Sequence, residues 1–484
     1  MQQSSASNEN AKGDKAFSSI SLKSFITVMI LLISILIISG ALSYFIPSGS
    51  FEISESGVII ADSYVKGEVD GIAPWRVLTA PVRVFFSEDG ITIIMICLFL
   101  LIMSGIFNLL EKTNGIKIFI GKLVRGIAKK DKILICLAVL VFMLFGSFFG
   151  MFEELITLLP LMIILTISLD MDTMMGLGIC MLSACFGFAA AITNPFSVGL
   201  AASVAGIGVT DGVWLRIIYF ALIYVTLCAF LLIYLHRIRK NPHLSPTYEE
   251  DLRKKESLDG VLKSETVGED RTFKIYLVFF LTEIVILGII ATVPAISGYA
   301  IPILAASFLV GGISARLLVT KNAKNTFKHF LCGASAMLPA VLMIAVASSV
   351  KLVMVESEII DTVMHFVIEN LKDKNKFVAV ILIYLLVLFL QFFIGSASAK
   401  IMLVMPIIMP IAAALGISPA LVILVYCMAD GFSDMIIPTN PILLVGLSIG
   451  NISYVKWLKW TLALQLIVFA LTVLILLFAV TIGY

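Results

Sequence analysis

The sequence predicts an all-α polytopic membrane protein built from two inverted-topology repeats, each carrying a re-entrant helical hairpin and a helix unwound at Thr-Asn-Pro. Three observations predict it. Hydrophobic residues make up 60% of the 484 positions and charged residues 14%, whereas a soluble domain carries about 25% charge. Apolar runs recur at the roughly 20-residue length that a hydrocarbon core demands. The tripeptide Thr-Asn-Pro occurs twice inside such runs, at 193–195 and 439–441. The net charge of +2 leaves no electrostatic footprint for nucleic acid. Cys97, Cys136, Cys180, Cys185, Cys228 and Cys427 sit in apolar stretches without a CxxC pair, so they read as small buried hydrophobes rather than metal or redox groups.

Residues 1–22 form a polar N-terminal tail with no cleavable signal pattern. Residues 23–90 then hold a first span and an exterior segment. Single spans are expected at 24–46, 91–110, 213–236, 273–293, 299–318, 329–350 and 457–482. Residues 131–169 and 376–413 are apolar but interrupted, with arms near or below spanning length, which suits a hairpin that enters and leaves on one side. Residues 172–207 and 419–450 are each too long for one simple span. The chain thus divides into transport repeat 1 (91–236), a charged linker (237–271), two scaffold spans (272–328) and transport repeat 2 (329–484). The linker reads as a solvated cytoplasmic loop. Lys and Arg clusters between 111 and 132, 236 and 274, and 316 and 328 belong on the cytoplasmic side. That puts the N-terminus inside and the C-terminus outside a bacterial cytoplasmic membrane. Trp457 and Trp460, beside Lys456 and Lys459, read as an interfacial anchor. His236, His243, His329 and His365 are dispersed at span ends and on an amphipathic face, so they form no site.

A shift of 246 residues superposes the irregular features. Thr193-Asn194-Pro195 falls on Thr439-Asn440-Pro441, Pro160 on Pro406 and Phe186 on Phe432. The hairpin tips, Gly146-Ser147-Phe148-Phe149-Gly150 and Gly395-Ser396-Ala397-Ser398-Ala399-Lys400, coincide only after a three-residue adjustment that matches Gly-Ser with Gly-Ser. On the assigned topology the copies run in opposite directions, with amphipathic stretches at 112–129 and 355–371 on opposite faces. Such inverted repeats recur in secondary transporters, whose sites lie where discontinuous helices meet at the midplane.

Irregular backbone at membrane depth is tolerated only when buried in protein or lining an aqueous cavity. Proline removes a donor and disfavours helix at the residue before it, so the chain should unwind around Thr193-Asn194 and Thr439-Asn440. The freed carbonyls with the Asn and Thr oxygens would suit a monovalent cation, placing Na⁺ at Asn194 and Asn440. Helix N-termini at the tips and after Pro195 and Pro441 would suit a carboxylate. The alternative is that both motifs merely kink core helices. Intramembrane charge marks function by default, and Glu153, Glu154, Lys400, Asp430 and Asp434 are the intramembrane charges. At the 246 offset Glu154 falls on Lys400. Either the two tie the copies together, or Lys400 receives a substrate carboxylate while Glu153 or Glu154 takes a proton or an amino group. Asp430 and Asp434, four apart on one face, suit cation or proton handling or hydrogen bonding to unwound backbone. The substrate-binding candidates are therefore Gly146, Ser147, Glu153, Glu154, Thr193, Asn194, Pro195, Ser396, Ser398, Lys400, Thr439, Asn440 and Pro441. The coupling candidates are Asn194, Asn440, Ser147, Ser396, Asp430 and Asp434, with Na⁺ or H⁺ as the ion and no other cofactor.

Several of these stretches carry a resemblance. Gly395-Ser-Ala-Ser-Ala-Lys400 with Pro406 and Pro410, Ala429-Asp-Gly-Phe-Ser-Asp-Met-Ile-Ile-Pro-Thr-Asn440 and Ile452-Ser-Tyr-Val-Lys-Trp-Leu458 resemble the YfcC-like branch of the anaerobic C4-dicarboxylate carrier (DcuC) family. So do Tyr44-Phe-Ile-Pro-Ser-Gly-Ser-Phe-Glu52, Phe152-Glu-Glu154 and Ile192-Thr-Asn-Pro-Phe-Ser-Val-Gly199. The resemblance covers essentially the whole chain. It implies membership of the ion transporter superfamily, whose members are usually homodimers with a scaffold and two elevator-like transport domains. Family branches are assigned to dicarboxylates, to arginine/ornithine exchange and to other small carboxylates.

The leading expectation is a secondary active transporter, symporter or antiporter, of a small carboxylate-bearing metabolite coupled to Na⁺ or H⁺. Four intramembrane acids against Lys400 disfavour a bare dianion, which favours an amino acid such as arginine or ornithine over a C4-dicarboxylate. A passive channel is the second alternative. No HExxH, GxSxG or GxxxxGK[ST] motif points to an enzyme or a pump. The expected partners are the small-molecule substrate, the lipid bilayer and a second copy in a homodimer, and not nucleic acid.

Overall fold

Helix makes up 80% of the structure and strand 1%, as lipid requires of a backbone that must satisfy its own hydrogen bonds. The computed structural model describes residues 22–52, 63–113, 131–262, 269–293, 296, 299–371 and 374–484. Residues 1–21 of the expected N-terminal tail, most of the basic cluster after 111 and residues 114–129 of the amphipathic stretch lie outside the described residues.

The first helices are α1 (Leu22–Leu42), α2 (Pro74–Arg83) and α3 (Gly90–Lys112), with a short antiparallel pair, β1 (Gly49–Ser50) and β2 (Val65–Lys66), between α1 and α2. The first hairpin consists of α4 (Asp131–Phe149) and α5 (Glu154–Ser168); α6 (Thr173–Ala189), α7 (Pro195–Ala205) and α8 (Val213–Lys240) complete that repeat. Next come α9 (Tyr248–Leu262), α10 (Glu269–Thr292), α11 (Ala300–Thr320), α12 (Ala323–Ser335), α13 (Leu338–Glu356) and α14 (Ile359–Leu371). The second hairpin consists of α15 (Lys376–Gln391) and α16 (Ala397–Ala414), followed by α17 (Pro419–Asp430), α18 (Pro441–Gly450) and α19 (Tyr454–Thr481). Among the described residues nine helical stretches are long and apolar enough to cross a membrane. The protein is an integral membrane protein.

The two repeats are legible in three dimensions. Adding 246 to Thr173 and Pro195, the first residues of α6 and α7, gives Pro419 and Pro441, the first residues of α17 and α18. The copies exchange contacts reciprocally, α7 packing on α16 and α18 on α5. Phe186 meets Phe432 edge to face at 4.9 Å between ring centroids. The Cys185 thiol reaches the Gly431 carbonyl at 3.0 Å. Both pairs are 246 apart. A residue that touches its own equivalent lies on the rotation axis relating two copies, so this pseudo-twofold axis passes between α6 and the turn after α17. Gly431 permits the approach, because a Cβ there would lie 2.4 Å from Ala189 Cβ.

Several expectations are corrected. The span expected at 329–350 is two helices, α12 and α13, divided just before Pro339, which sits in the first turn of α13 where proline lacks no needed donor. His329 caps no span; it lies within α12, its ring nitrogen 3.0 Å from Arg316 and its carbonyl accepting from Asn108. The linker is not simply a solvated loop. Its helix α9 docks on the ends of both repeats. Asp251 accepts from the Thr173 amide at 2.7 Å, and buried Lys254 donates to the Thr173 hydroxyl at 2.8 Å and to the Gly450 carbonyl at 3.4 Å. Composition marked α9 as polar, but only its partners show that two of its charges are buried. Trp457 is no interfacial anchor either: it is fully buried, and its indole N–H donates to the Met435 carbonyl at 2.6 Å. The count of intramembrane charge also missed Glu283 of α10, a buried carboxylate that accepts from Ser307 of α11 at 2.7 Å.

Candidate functional site

In the first repeat α4 ends in a widened turn, and Gly150 takes a positive φ of 69°. A Cβ at Gly150 would lie 2.3 Å from the Asn194 carboxamide oxygen, so glycine is required there. The unwound segment after α6 wraps around Ser147. The Ser147 carbonyl accepts from the amides of Ile192, Thr193 and Asn194 at 3.1, 3.2 and 3.0 Å. Its hydroxyl donates to the Ala190 carbonyl at 2.8 Å and accepts from the Ile192 amide at 3.0 Å. Asn194 is the N-cap of α7, its side-chain oxygen accepting from the Phe196 amide at 2.9 Å; its amide nitrogen is buried without a partner.

In the second repeat Asn440 caps α18, its oxygen accepting from Ile442 and Leu443 at 2.8 and 3.3 Å. Here the amide nitrogen has a partner: it donates to Asp434 Oδ1 at 2.6 Å. The same oxygen accepts from the side-chain amide of Gln391, the last residue of α15. Gln391 Oε1 is buried and unpartnered. The freed carbonyls of Met435, Ile436 and Phe432 are taken by Trp457, Tyr454 and Gln465 of α19.

The tips align differently from the Gly-Ser match. The Thr439 hydroxyl donates to the Phe392 carbonyl at 2.7 Å, and the Thr193 hydroxyl to the Phe148 carbonyl at 3.4 Å. Phe148-Phe149 therefore corresponds to Phe392-Phe393, and Ser147 to Gln391. The repeated Phe-Phe was the signal available in the sequence.

A cavity of about 550 Å³ opens between the two hairpin tips, the second unwound segment and the α3, α11 and α13 helices. Of the sequence candidates, Glu153, Glu154, Ser396, Ser398, Thr439, Asn440, Pro441 and Asp434 line it. Gly146, Ser147, Thr193, Asn194, Pro195, Lys400 and Asp430 do not. Lys400 lies opposite Asp430 rather than Glu154; the two form a fully buried ion pair behind the tip, so neither charge faces the cavity. Glu154 Oε2 has no hydrogen-bond partner. Gln391, missed by sequence reasoning because a lone Gln at a helix end carries no motif, also lines the wall. At the rim Lys351 of α13 pairs with Asp89, the residue before α3. Among the described lining residues four carboxylates (Asp89, Glu153, Glu154, Asp434) thus face one ammonium, a formal charge of −3.

Donors for an anion are fewer than expected. Pro195 and Pro441 carry no N–H, and the next amides are held by Asn194 and Asn440. The start of α16 is different. Ser396 caps it by accepting from Ala399 at 3.4 Å, which leaves the first-turn amides of Ala397 and Ser398, beside the cavity, without intrahelical acceptors. A helix of 18 residues adds its dipole there.

The family profile described as C4-dicarboxylate anaerobic carrier, DcuC, matches residues 22–481. The chain belongs to this family. It is a membrane transport protein of the DcuC type and not an enzyme. Among curated relatives, a protein of Escherichia coli K12 named "Putative basic amino acid antiporter YfcC" is 26% identical over 404 residues, 81% of this chain and 79% of that one. An uncharacterized protein of Haemophilus influenzae is 26% identical over 378 residues, 77% of this chain and 73% of that one. Two solved structures show a weak likeness to the chain. YdaH of Alcanivorax borkumensis gives a TM-score of 0.41 at 16% identity, covering 95% of this chain and 98% of that one. MtrF of Neisseria gonorrhoeae gives 0.41 at 15%, covering 93% and 94%.

Proposed function

We propose that this DcuC-family protein is a secondary active transporter of a basic amino acid, arginine or ornithine, working by alternating access of an elevator-like kind. The observation that carries this reading is the charge of the cavity: Lys400 is neutralised by Asp430 behind the wall, leaving acids as the dominant lining charge. A low-dielectric cavity of that sign attracts a cation and repels a dianion. The α16 N-terminus supplies amide donors for the one carboxylate such a substrate carries. The name of the Escherichia coli relative accords with this class.

Coupling by exchange or by a proton on the cavity acids fits better than Na⁺ at Asn194, whose oxygen already caps α7. A C4-dicarboxylate is the second reading, favoured by the family's description; it would need protons or cations to offset the acidic wall. A passive channel would show no trans-acceleration. The test is a thermal-stability screen of the purified protein against arginine, ornithine, lysine, neutral amino acids, short peptides and succinate, with and without Na⁺, followed by counterflow in proteoliposomes. Stabilisation by basic amino acids and counterflow of labelled arginine support the proposal. Stabilisation by succinate alone overturns it.

A further inference from the structure

The hairpin tip of the second repeat holds an arrangement that the cargo's distal cationic group does not require. Gln391 closes α15 at 2% exposure, and its Nε2 is committed to Asp434 Oδ1. With the carboxyl oxygen accepting from Nε2, the amide has its Oε1 turned from Asp434. That oxygen has no partner although it is buried and its residue lines the cavity. A buried acceptor left unpaired carries a free-energy penalty that a bound donor removes. Asp434 Oδ1 takes two amide donors, from Gln391 and Asn440, which hold the carboxyl group in one position beside the cavity. Six residues beyond Gln391, the amides of Ala397 and Ser398 open α16. One tip therefore sets two acceptors, Gln391 Oε1 and the Asp434 carboxylate, on the same wall as a donor pair.

We propose that Gln391 and Asp434 receive the α-ammonium group of the cargo while the α16 N-terminus receives its α-carboxylate, so that the second repeat reads the zwitterionic head of an α-amino acid. The side-chain cation is left to Glu153 and Glu154 of the first repeat. Gln391 is then a specificity residue: its carbonyl oxygen distinguishes an α-amino acid from the same molecule without the amino group. The first repeat cannot do this, because Ser147 occupies the corresponding position with its oxygens bonded to residues 190–194 and Phe188 stands 246 residues before Asp434. This inference rests on the basic-amino-acid reading above, and the test separates the two.

Binding to the purified full-length protein is measured for arginine, for 5-guanidinopentanoate, which lacks the α-amino group, and for agmatine, which lacks the carboxylate. The wild type is expected to prefer arginine to 5-guanidinopentanoate by about tenfold to a hundredfold, the range of one or two hydrogen bonds to a charged group. Gln391→Met is expected to weaken arginine by about tenfold and leave 5-guanidinopentanoate unchanged, collapsing the ratio; a general structural defect would weaken both alike. Gln391→Ala provides the same ratio should the methionine variant fail to fold. Equal binding of the two ligands by the wild type, or parallel weakening in a variant, overturns the α-ammonium assignment while leaving the cargo reading intact. Absence of binding by arginine, ornithine and lysine removes both.

Discussion

The two Thr-Asn-Pro interruptions share a backbone design and differ in what surrounds it. In both, threonine ties the unwound segment to the hairpin and asparagine caps the following helix. In the first repeat the segment closes on Ser147, and Asn194 is buried away from the cavity with an unpaired amide nitrogen. In the second, Asp434 and Gln391 stand where the first has Phe188 and Ser147, Asn440 is paired, and the segment lines the cavity. Unwinding alone is thus a structural device. Two polar residues, Asp434 and Gln391, put a carboxyl group and an unpartnered amide oxygen into the cavity wall of the second copy alone.

The largest effect should come from Asp434→Ala, which removes the charged acceptor of that wall: arginine affinity is expected to fall about a hundredfold or more. Asn194→Ala, in the first repeat, should leave affinity within about twofold. Equal losses in equilibrium binding would erase the distinction between the repeats.

Next is the buried ion pair. Lys400→Met strands Asp430 and should destabilise the protein by about 3–5 kcal/mol, whereas Lys400→Met combined with Asp430→Leu should recover most of that loss. Denaturation in detergent across the double-mutant cycle measures it. A variant of unchanged stability but weakened affinity would return Lys400 to the site.

Ser147→Ala leaves the Ala190 carbonyl and the Ile192 amide without their side-chain partner, a loss of about 1–3 kcal/mol of stability. Arginine affinity should not change, and a selective loss of affinity would mean that the first tip also touches cargo. The smallest effect is expected for Trp457→Phe, which unpairs the Met435 carbonyl at a cost of about 1 kcal/mol or somewhat more and loosens the second segment alone. Hydrogen exchange at residues 432–440 against 190–194 would show that asymmetry.

Much of the fold was legible because the hydrophobic effect and the bilayer impose lengths on the sequence. The α7 and α18 starts at the two prolines, the hairpin breaks and the 246-residue repeat follow from local rules on proline, glycine and apolar run length. The candidate site was legible by half. Glu153, Glu154, Asp434 and Asn440 stood out because charge and broken helix are costly in lipid. Gln391 did not, since an uncharged amide at a helix end looks ordinary until its neighbour is known. Lys400 misled for the converse reason: its partner, Asp430, lies thirty residues away along the chain, and the 246 offset pointed to Glu154 instead.

By itself, then, the order of residues decided that the chain lies in a membrane, that it doubles back on a repeated plan and where its helices must break, since each of these depends on near neighbours and on solvent. Tertiary structure decided which charges cancel, which asparagine faces the cavity and that α9 staples the ends of both repeats. Those outcomes depend on distances between residues far apart in the chain, and no local pattern encodes a distance.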